Sequence, residues 1–152
     1  MASGRCYEAQ SGVPFYPFLE ALAKLYEDAP PKVREEIPER WPYLARLLPD
    51  HFPLAASGSS EEAQRLLRVV TGFVREVCAE RPVALLLDDL HHADGASVDL
   101  LAHLCRHTRP DRVLLVGTYR DVEVGPEHPL RRAVRELDRE QLVEKVEVRR
   151  LG

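Results

Sequence analysis

Apolar residues recur along this chain with two different periods, and the places where one period gives way to the other outline the elements. Leu66, Leu67, Val70, Phe73, Val74 and Val77 follow at helical intervals behind Ser59 and Glu62, which have the S-x-x-E spacing of a capping box. The spacing predicts a long amphipathic helix from about Ser60 to Ala79. Next comes Val83 to Leu87, an uninterrupted apolar run bounded by Pro82, which reads as a strand buried on both faces of a parallel sheet. Val98, Leu100, Leu101, Leu104 and Cys105 predict another helix, ended near Pro110, and Val113 to Gly117 a second apolar strand closing in Thr118-Tyr119-Arg120. Strand, helix and strand within about 30 residues make a βαβ unit with a right-handed crossover, so the two strands are parallel and their polar tips share one edge.

The flanks are less regular. GRCYE, followed by Pro14 and Pro17, looks like a strand end leading into a loop. Phe18, Leu19, Leu22, Leu25 and Tyr26 predict a helix that Pro30-Pro31 stops. Prolines 31, 38, 42 and 49 bracket Val33 to Ile37 and Trp41 to Leu48, leaving room for one short helix in each. Pro42 suits the first turn of the second, and Trp41 and Tyr43 read as packing anchors. His51 to Ser60 is small and polar, with Ser57-Gly58-Ser59-Ser60 its loosest point, and is expected to be a surface loop. Beyond Arg120, Leu130, Ala133, Val134 and Leu137 predict one more helix, and Val143, Val146 and Val148 a less buried final strand.

Composition narrows the functional classes. The 152 residues suffice for one domain with a sizeable core but are short for a complete nucleotide-binding α/β enzyme. With 21 Lys+Arg against 25 Asp+Glu, bulk charge attracts neither nucleic acid nor anionic membrane. Cys6, Cys78 and Cys105 are too few for a disulfide framework and suit a reducing compartment, with a cytoplasmic location as the expectation. No apolar run approaches the roughly 20 residues of a membrane span, and MASGRCYEAQ lacks a signal-peptide profile.

Chemistry concentrates where the first apolar strand ends, in Asp88 and Asp89. Ligands of open α/β sheets bind at the carboxyl ends of strands. A carboxylate there suits Mg²⁺, a hard ion held by one or two carboxylates plus substrate phosphate. Asp88 is the candidate metal ligand; Asp89, one residue on, is placed to orient or deprotonate an attacking water. Thr118 and Arg120, at the tip of the second strand, suit hydrogen bonding to that water and neutralisation of a terminal phosphate. A rival set is His91 and His92 beside Asp88, Asp89 and Asp94, with His103 and His107 at i and i+4 on the following helix, as in a metal hydrolase. That helix has no H-E-x-x-H pattern, so a transition metal is not expected. Arg131, Arg132 and Arg135 belong to a charged segment read as a solvated helix face, with contact to phosphate or a partner as the other reading.

LLLDDLHHADGASVDLLAHL and LLVGTYRDVEVGPEHPLRRAVREL together resemble the Walker B and sensor 1 regions of the AAA-type signal-transduction ATPases with numerous domains, modules found in LuxR-type regulators, nucleotide-cyclase homologues and kinase fusions. GRCYEAQSGVPFYPFLEAL resembles the segment after that family's second strand, so the likeness covers nearly the whole chain in the correct order. The resemblance implies a three-layer P-loop NTPase-like α/β domain. It also implies Mg²⁺ on Asp88, Asp89 as its acidic partner, Arg120 contacting or sensing the terminal phosphate, and Thr118 beside that sensor. ATP and Mg²⁺ are the implied cofactors, and protein partners or other domains of a larger regulator the implied company. His92, where the family usually has Trp, and Gly95, commonly Pro, depart from the pattern without touching this chemistry.

One departure is large: none of the eight glycines is followed by Lys, so the phosphate-binding loop G-x-x-x-x-G-K-[ST] does not occur in the sequence. The expectation is a partial AAA-type domain spanning 1–152, with 1–58 the helical segment after the second strand and 59–152 the Walker B and sensor 1 core. The resemblance implies strand order five-one-four-three-two, so the first strand is the missing one and a gap is expected between the Val113 and Val143 strands. ATP binding and slow hydrolysis as a conformational switch belong to the intact module, with little or none from this chain alone. A non-catalytic interaction or scaffold domain is the alternative.

Overall fold

The computed structural model describes residues 1–11, 13–42, 44 and 60–148. The expected loop at 51–60 except Ser60, most of the Trp41 to Leu48 helix, Tyr43, Ser59 of the capping box and the division at residue 58 lie outside them. Strand β1 spans Ala2–Arg5, helix α1 Tyr16–Glu27, α2 Pro31–Arg40, α3 Ser60–Glu80, β2 Val83–Asp88, α4 Gly95–His107, β3 Val113–Gly117 and α5 Pro129–Arg139. The architecture is α/β, a three-stranded parallel sheet in the order β1-β2-β3. β2 and β3 are adjacent and parallel, with α4 as their crossover.

GRCYE is, as expected, a strand end leading out of the sheet: Gly4 and Arg5 close β1, whose residues Ala2 to Arg5 pair in register with Leu85 to Asp88. The differences from expectation have local causes. α1 starts at Tyr16 rather than Phe18, since Pro17 sits in the first turn, where its missing N–H costs nothing. α2 likewise starts on Pro31 and continues past Pro38 to Arg40, where the proline removes only a bond near the helix end. Residues 142–148 are not a strand: among the described residues β3 has no neighbour on its outer side, so the valines of that segment have no ladder to join. Val146 and Val148 are exposed.

Register places Ala2, Gly4, Val83, Leu85 and Leu87 on one sheet face, all buried against the helices. α1 lies so close to β1 that a Cβ on Gly4 would stand 1.7 Å from the Pro17 carbonyl oxygen. The other face carries Ser3, Arg5, Ala84, Leu86, Asp88, Leu114 and Val116, all half-buried or exposed. β2 is therefore fully buried on one face only, which corrects the expectation of two buried faces. Phe18, Phe73, Leu100 and Leu104 fill the core between helices and sheet. Trp41 packs edge-on to Phe73, with 6.2 Å between ring centroids. Arg112 donates to the Cys78 and Ala79 carbonyls at 3.0 and 2.9 Å, satisfying the carboxyl end of α3 just before β2 begins.

Candidate functional site

β2 ends on Asp88, and the chain turns at once through Asp89, whose φ of 57° and ψ of 41° lie in the left-handed region that Asp tolerates better than most residues. The turn faces the Asp89 N–H toward Thr118 Oγ1, at 3.1 Å. The Thr118 hydroxyl in turn donates to Asp88 Oδ1. Thr118 is itself held by both backbone groups: its N–H donates to the Leu87 carbonyl at 2.9 Å, and its carbonyl accepts from Leu90 N–H at 2.8 Å. Asp88, Asp89 and Thr118 thus form one stitched unit across the ends of β2 and β3.

A fourth residue, from β1, joins them. Register pairs Arg5 with Asp88, and the guanidinium lies on the acidic pair: Nη2 and Nε stand 2.7 and 2.8 Å from Asp89 Oδ2, and Nε stands 3.8 Å from Asp88 Oδ2. The Arg5 hydrogen bond is the main reason the Asp89 carboxyl is held below the usual range, with the charges of Arg5, His91 and Arg120 acting in the same direction. Asp89 is accordingly an ion-paired carboxylate and a weak base as it stands. Cys6 follows Arg5, its N–H bonding the Asp88 carbonyl at 2.9 Å. Burial, then the charges of Asp94, Asp89 and Asp88, push its thiol up to about 12, so it is no nucleophile.

Arg120 is close in sequence but turned away. Its Nη1 lies 2.8 Å from Glu123 Oε1, and its side chain is 67% exposed. Its N–H reaches His91 Nδ1 at 3.4 Å, which leaves the proton on Nε2 to donate toward Glu123 Oε2 at 3.3 Å. Burial, and secondly His92, lower the His91 pKa. His128 completes the arrangement: its Nδ1 accepts from Leu130 N–H as the cap of α5, and its Nε2 donates to the His91 carbonyl at 3.1 Å. Arg131 is committed to the turn between β3 and α5, its Nε 2.8 Å from the Val124 carbonyl and its Nη2 3.2 Å from Asp121 Oδ1.

The rival metal set is not assembled as the sequence suggested. Asp94 caps α4, accepting from Ala96 and Ser97 N–H at 3.0 and 3.3 Å and from the Ser97 hydroxyl. His103 and His107 stack on each other, ring centroids 3.9 Å apart, on α4. Among the described residues the group able to converge on an ion is His91, His92 and Glu123, with ligand atoms within 4.8 Å of one another. The His91 ring nitrogens are already engaged, one toward an N–H donor, whereas a metal-bound imidazole directs its second nitrogen to an acceptor.

Asp88 and Thr118 offer oxygen donors of the kind Mg²⁺ takes, and Arg5 approaches Asp88 Oδ2 no nearer than 3.8 Å, so the donor chemistry fits that ion. A cavity of about 70 Å³, lined by Tyr119, Val124, Leu130, Arg131, Val134, Arg135 and Lys145 and by none of Arg5, Asp88, Asp89, Thr118 or Arg120, is far below the roughly 300–1,000 Å³ of a small-molecule site.

A family model described as AAA ATPase domain matches residues 1–116. The chain belongs to that family. Membership brings nucleotide as the ligand class, typically with Mg²⁺, and agrees with the parallel α/β sheet. The matched residues include Arg5, Asp88 and Asp89 and stop short of Thr118 and Arg120. No curated protein and no solved structure matches. Among the described residues no helix is long and apolar enough to cross a membrane.

Arg5, Glu123 and His128 were missed by sequence reasoning. Arg5 meets Asp89 across 84 positions, through a β1–β2 register that no local pattern reports. His128 carried the one usable signal, a capping residue directly before Pro129 and an apolar helical period.

Proposed function

We propose that this chain supplies the Walker B and sensor 1 part of a regulatory, signal-transduction ATPase module of the kind joined to other domains in larger regulators. The observation that carries the reading is the stitched tip: Asp88 and Thr118 share a hydrogen bond at the carboxyl ends of two adjacent parallel strands, in a chain of the AAA ATPase domain family. In this reading Asp88 holds Mg²⁺, which neutralises phosphate charge when bound. Thr118 fixes the Asp88 carboxylate so that one oxygen faces outward. Asp89, once released from Arg5, orients the attacking water. Arg120, on an exposed side chain that leaves Glu123 at little cost, meets the terminal phosphate.

The 152 residues hold no G-x-x-x-x-G-K-[ST] loop, so the backbone cradle and lysine for the phosphates are not among these groups. Each charge-assisted hydrogen bond contributes about 1.5–3 kcal/mol, and losing several weakens binding by orders of magnitude at about tenfold per 1.4 kcal/mol. The Arg5 ion pair on Asp89 also favours a second reading, a non-catalytic interaction domain. Titration calorimetry with Mg-ATP tests the assignment on wild type, Asp88→Asn and Arg120→Ala. The expected result is no micromolar binding by this chain in any of the three. Micromolar binding that both substitutions abolish would show a phosphate site rebuilt without the loop, overturning the partial-site reading and the scaffold reading together.

A further inference from the structure

The Arg5 guanidinium lies against the acidic pair at the end of β2. Two of its nitrogens rest on Asp89 Oδ2, and one of these lies 3.8 Å from Asp88 Oδ2. It is not a chance surface contact, because the backbone fixes where it starts. Arg5 is the register partner of Asp88, the Cys6 N–H locks the same two strands together, and the Arg5 N–H donates to Glu20 Oε2 at 3.3 Å. The guanidinium carbon stands over the Tyr7 ring, 5.8 Å from its centroid.

From this geometry we infer that Arg5 is a specificity-determining residue: as a resident counter-cation it makes Asp88 and Asp89 a poor site for a bare divalent ion and reserves Asp88 for an ion that arrives with its phosphates. The inference rests on the proposed role of Asp88 as metal ligand. Two carboxylates and one guanidinium leave a single net negative charge, which a divalent ion overturns to a net positive one. That excess is neutralised only if anionic phosphate comes with the metal. With Arg5 uncharged, the pair carries two negative charges that mutual repulsion makes eager for a bare ion, and the neutral complex has no further need of an anion. Arg5 touches no substrate in this scheme. It acts through the charge of the pair and through where it holds Asp89.

The test is binding of Mn²⁺ alone, followed by loss of the free-ion resonance signal, to wild type, Arg5→Gln, Arg5→Lys and the double variant Arg5→Gln/Asp88→Asn. Arg5→Met, which keeps an unbranched apolar stem, replaces glutamine if β1 is disturbed, with circular dichroism as the check on folding. Arg5→Gln should bind Mn²⁺ roughly fivefold more tightly than wild type, the scale of an exposed ion pair. Arg5→Lys, with its charge kept, should stay near wild type, and Asp88→Asn in the double variant should remove the gain. Unchanged or weaker binding by Arg5→Gln overturns the inference, and it leaves Asp88 as ligand if the double variant still loses the ion. No binding by Arg5→Gln even at millimolar Mn²⁺ overturns both the inference and the assignment of Asp88.

Discussion

β2 and β3 are almost interchangeable as sequences, VALLL beside VLLVG, yet they live in different surroundings. On one face Val83 and Leu85 are buried and their register partners Val113 and Leu115 only half-buried; on the other Ala84 and Leu86 are half-buried and their partners Leu114 and Val116 are 60% and 41% exposed. Composition does not separate them; neighbours do. β2 has a strand on each side, and β3 has one on one side only among the described residues. An apolar run therefore states what environment a strand is suited to, not that the environment is met. Exposed β3 also lacks the devices that usually blunt a sheet edge, for no charge or proline interrupts Val113 to Gly117. The candidate site falls on the well-made side of this contrast. Asp88, Asp89 and Thr118 straddle the β2–β3 join, where the ladder is complete and each acid has a fixed partner.

The sharpest way to break the comparison is truncation on each strand. Leu85→Ala removes a side chain 1% exposed, and a loss of about 2–5 kcal/mol is expected from the transfer and cavity terms. Leu114→Ala should change stability by less than about 1 kcal/mol, as for other exposed positions. Urea unfolding of the two variants checks both. If Leu114→Ala proved as costly as Leu85→Ala, the outer part of β3 would be covered in solution and the contrast would collapse. A smaller effect is expected where the crossover helix begins. Asp94→Ala removes the cap of α4 and should cost about 1 kcal/mol, whereas Asp94→Asn, still a good cap, should cost a fraction of that. Equal losses from both would mean that charge rather than capping matters there.

The βαβ unit was legible because its signals are local. The Val83 run, the helical period from Val98 to Cys105 and the Val113 run each announce themselves within a dozen residues, and short connections leave one sensible topology. The position of Asp88 at a strand end follows from the same pattern. What escaped was set by distant pairing or by a residue whose meaning depends on its place. Pro17 looked like loop punctuation and Pro31 like a helix stop, but each sits in the first turn of a helix. The valines at 143, 146 and 148 have strand-forming character and no strand to pair with among the described residues. Arg5 gave no sign of its role, since the guanidinium and Asp89 meet only once β1 has docked along β2.

The smallest expected effect sits on the helix that joins the two strands. His103 lies on α4, stacked on His107, whose Nδ1 is 2.8 Å from the His103 carbonyl. Burial first, then His107, Arg106 and Arg68, lower the His103 pKa. In the unfolded chain a histidine takes up its proton near pH 6.5, whereas in the fold His103 does so only at lower pH. The unfolded state therefore binds more protons in that window, so the contribution of His103 is complete above about pH 6.5 and declines as pH falls toward its folded value. His91 is lowered in the same direction and adds to the slope. The depressed carboxyls Asp28, Asp89, Glu123 and Glu140 act in a separate window, their stabilisation being lost only as pH drops below the ordinary carboxylate range. Urea midpoints at pH 7.5 and 5.5 should thus fall for wild type, and fall less for His103→Gln, with His91 supplying what remains. An unaltered slope in His103→Gln would mean that His103 is solvated when folded, and that the helix behind the β2–β3 join is less tightly packed than the join itself.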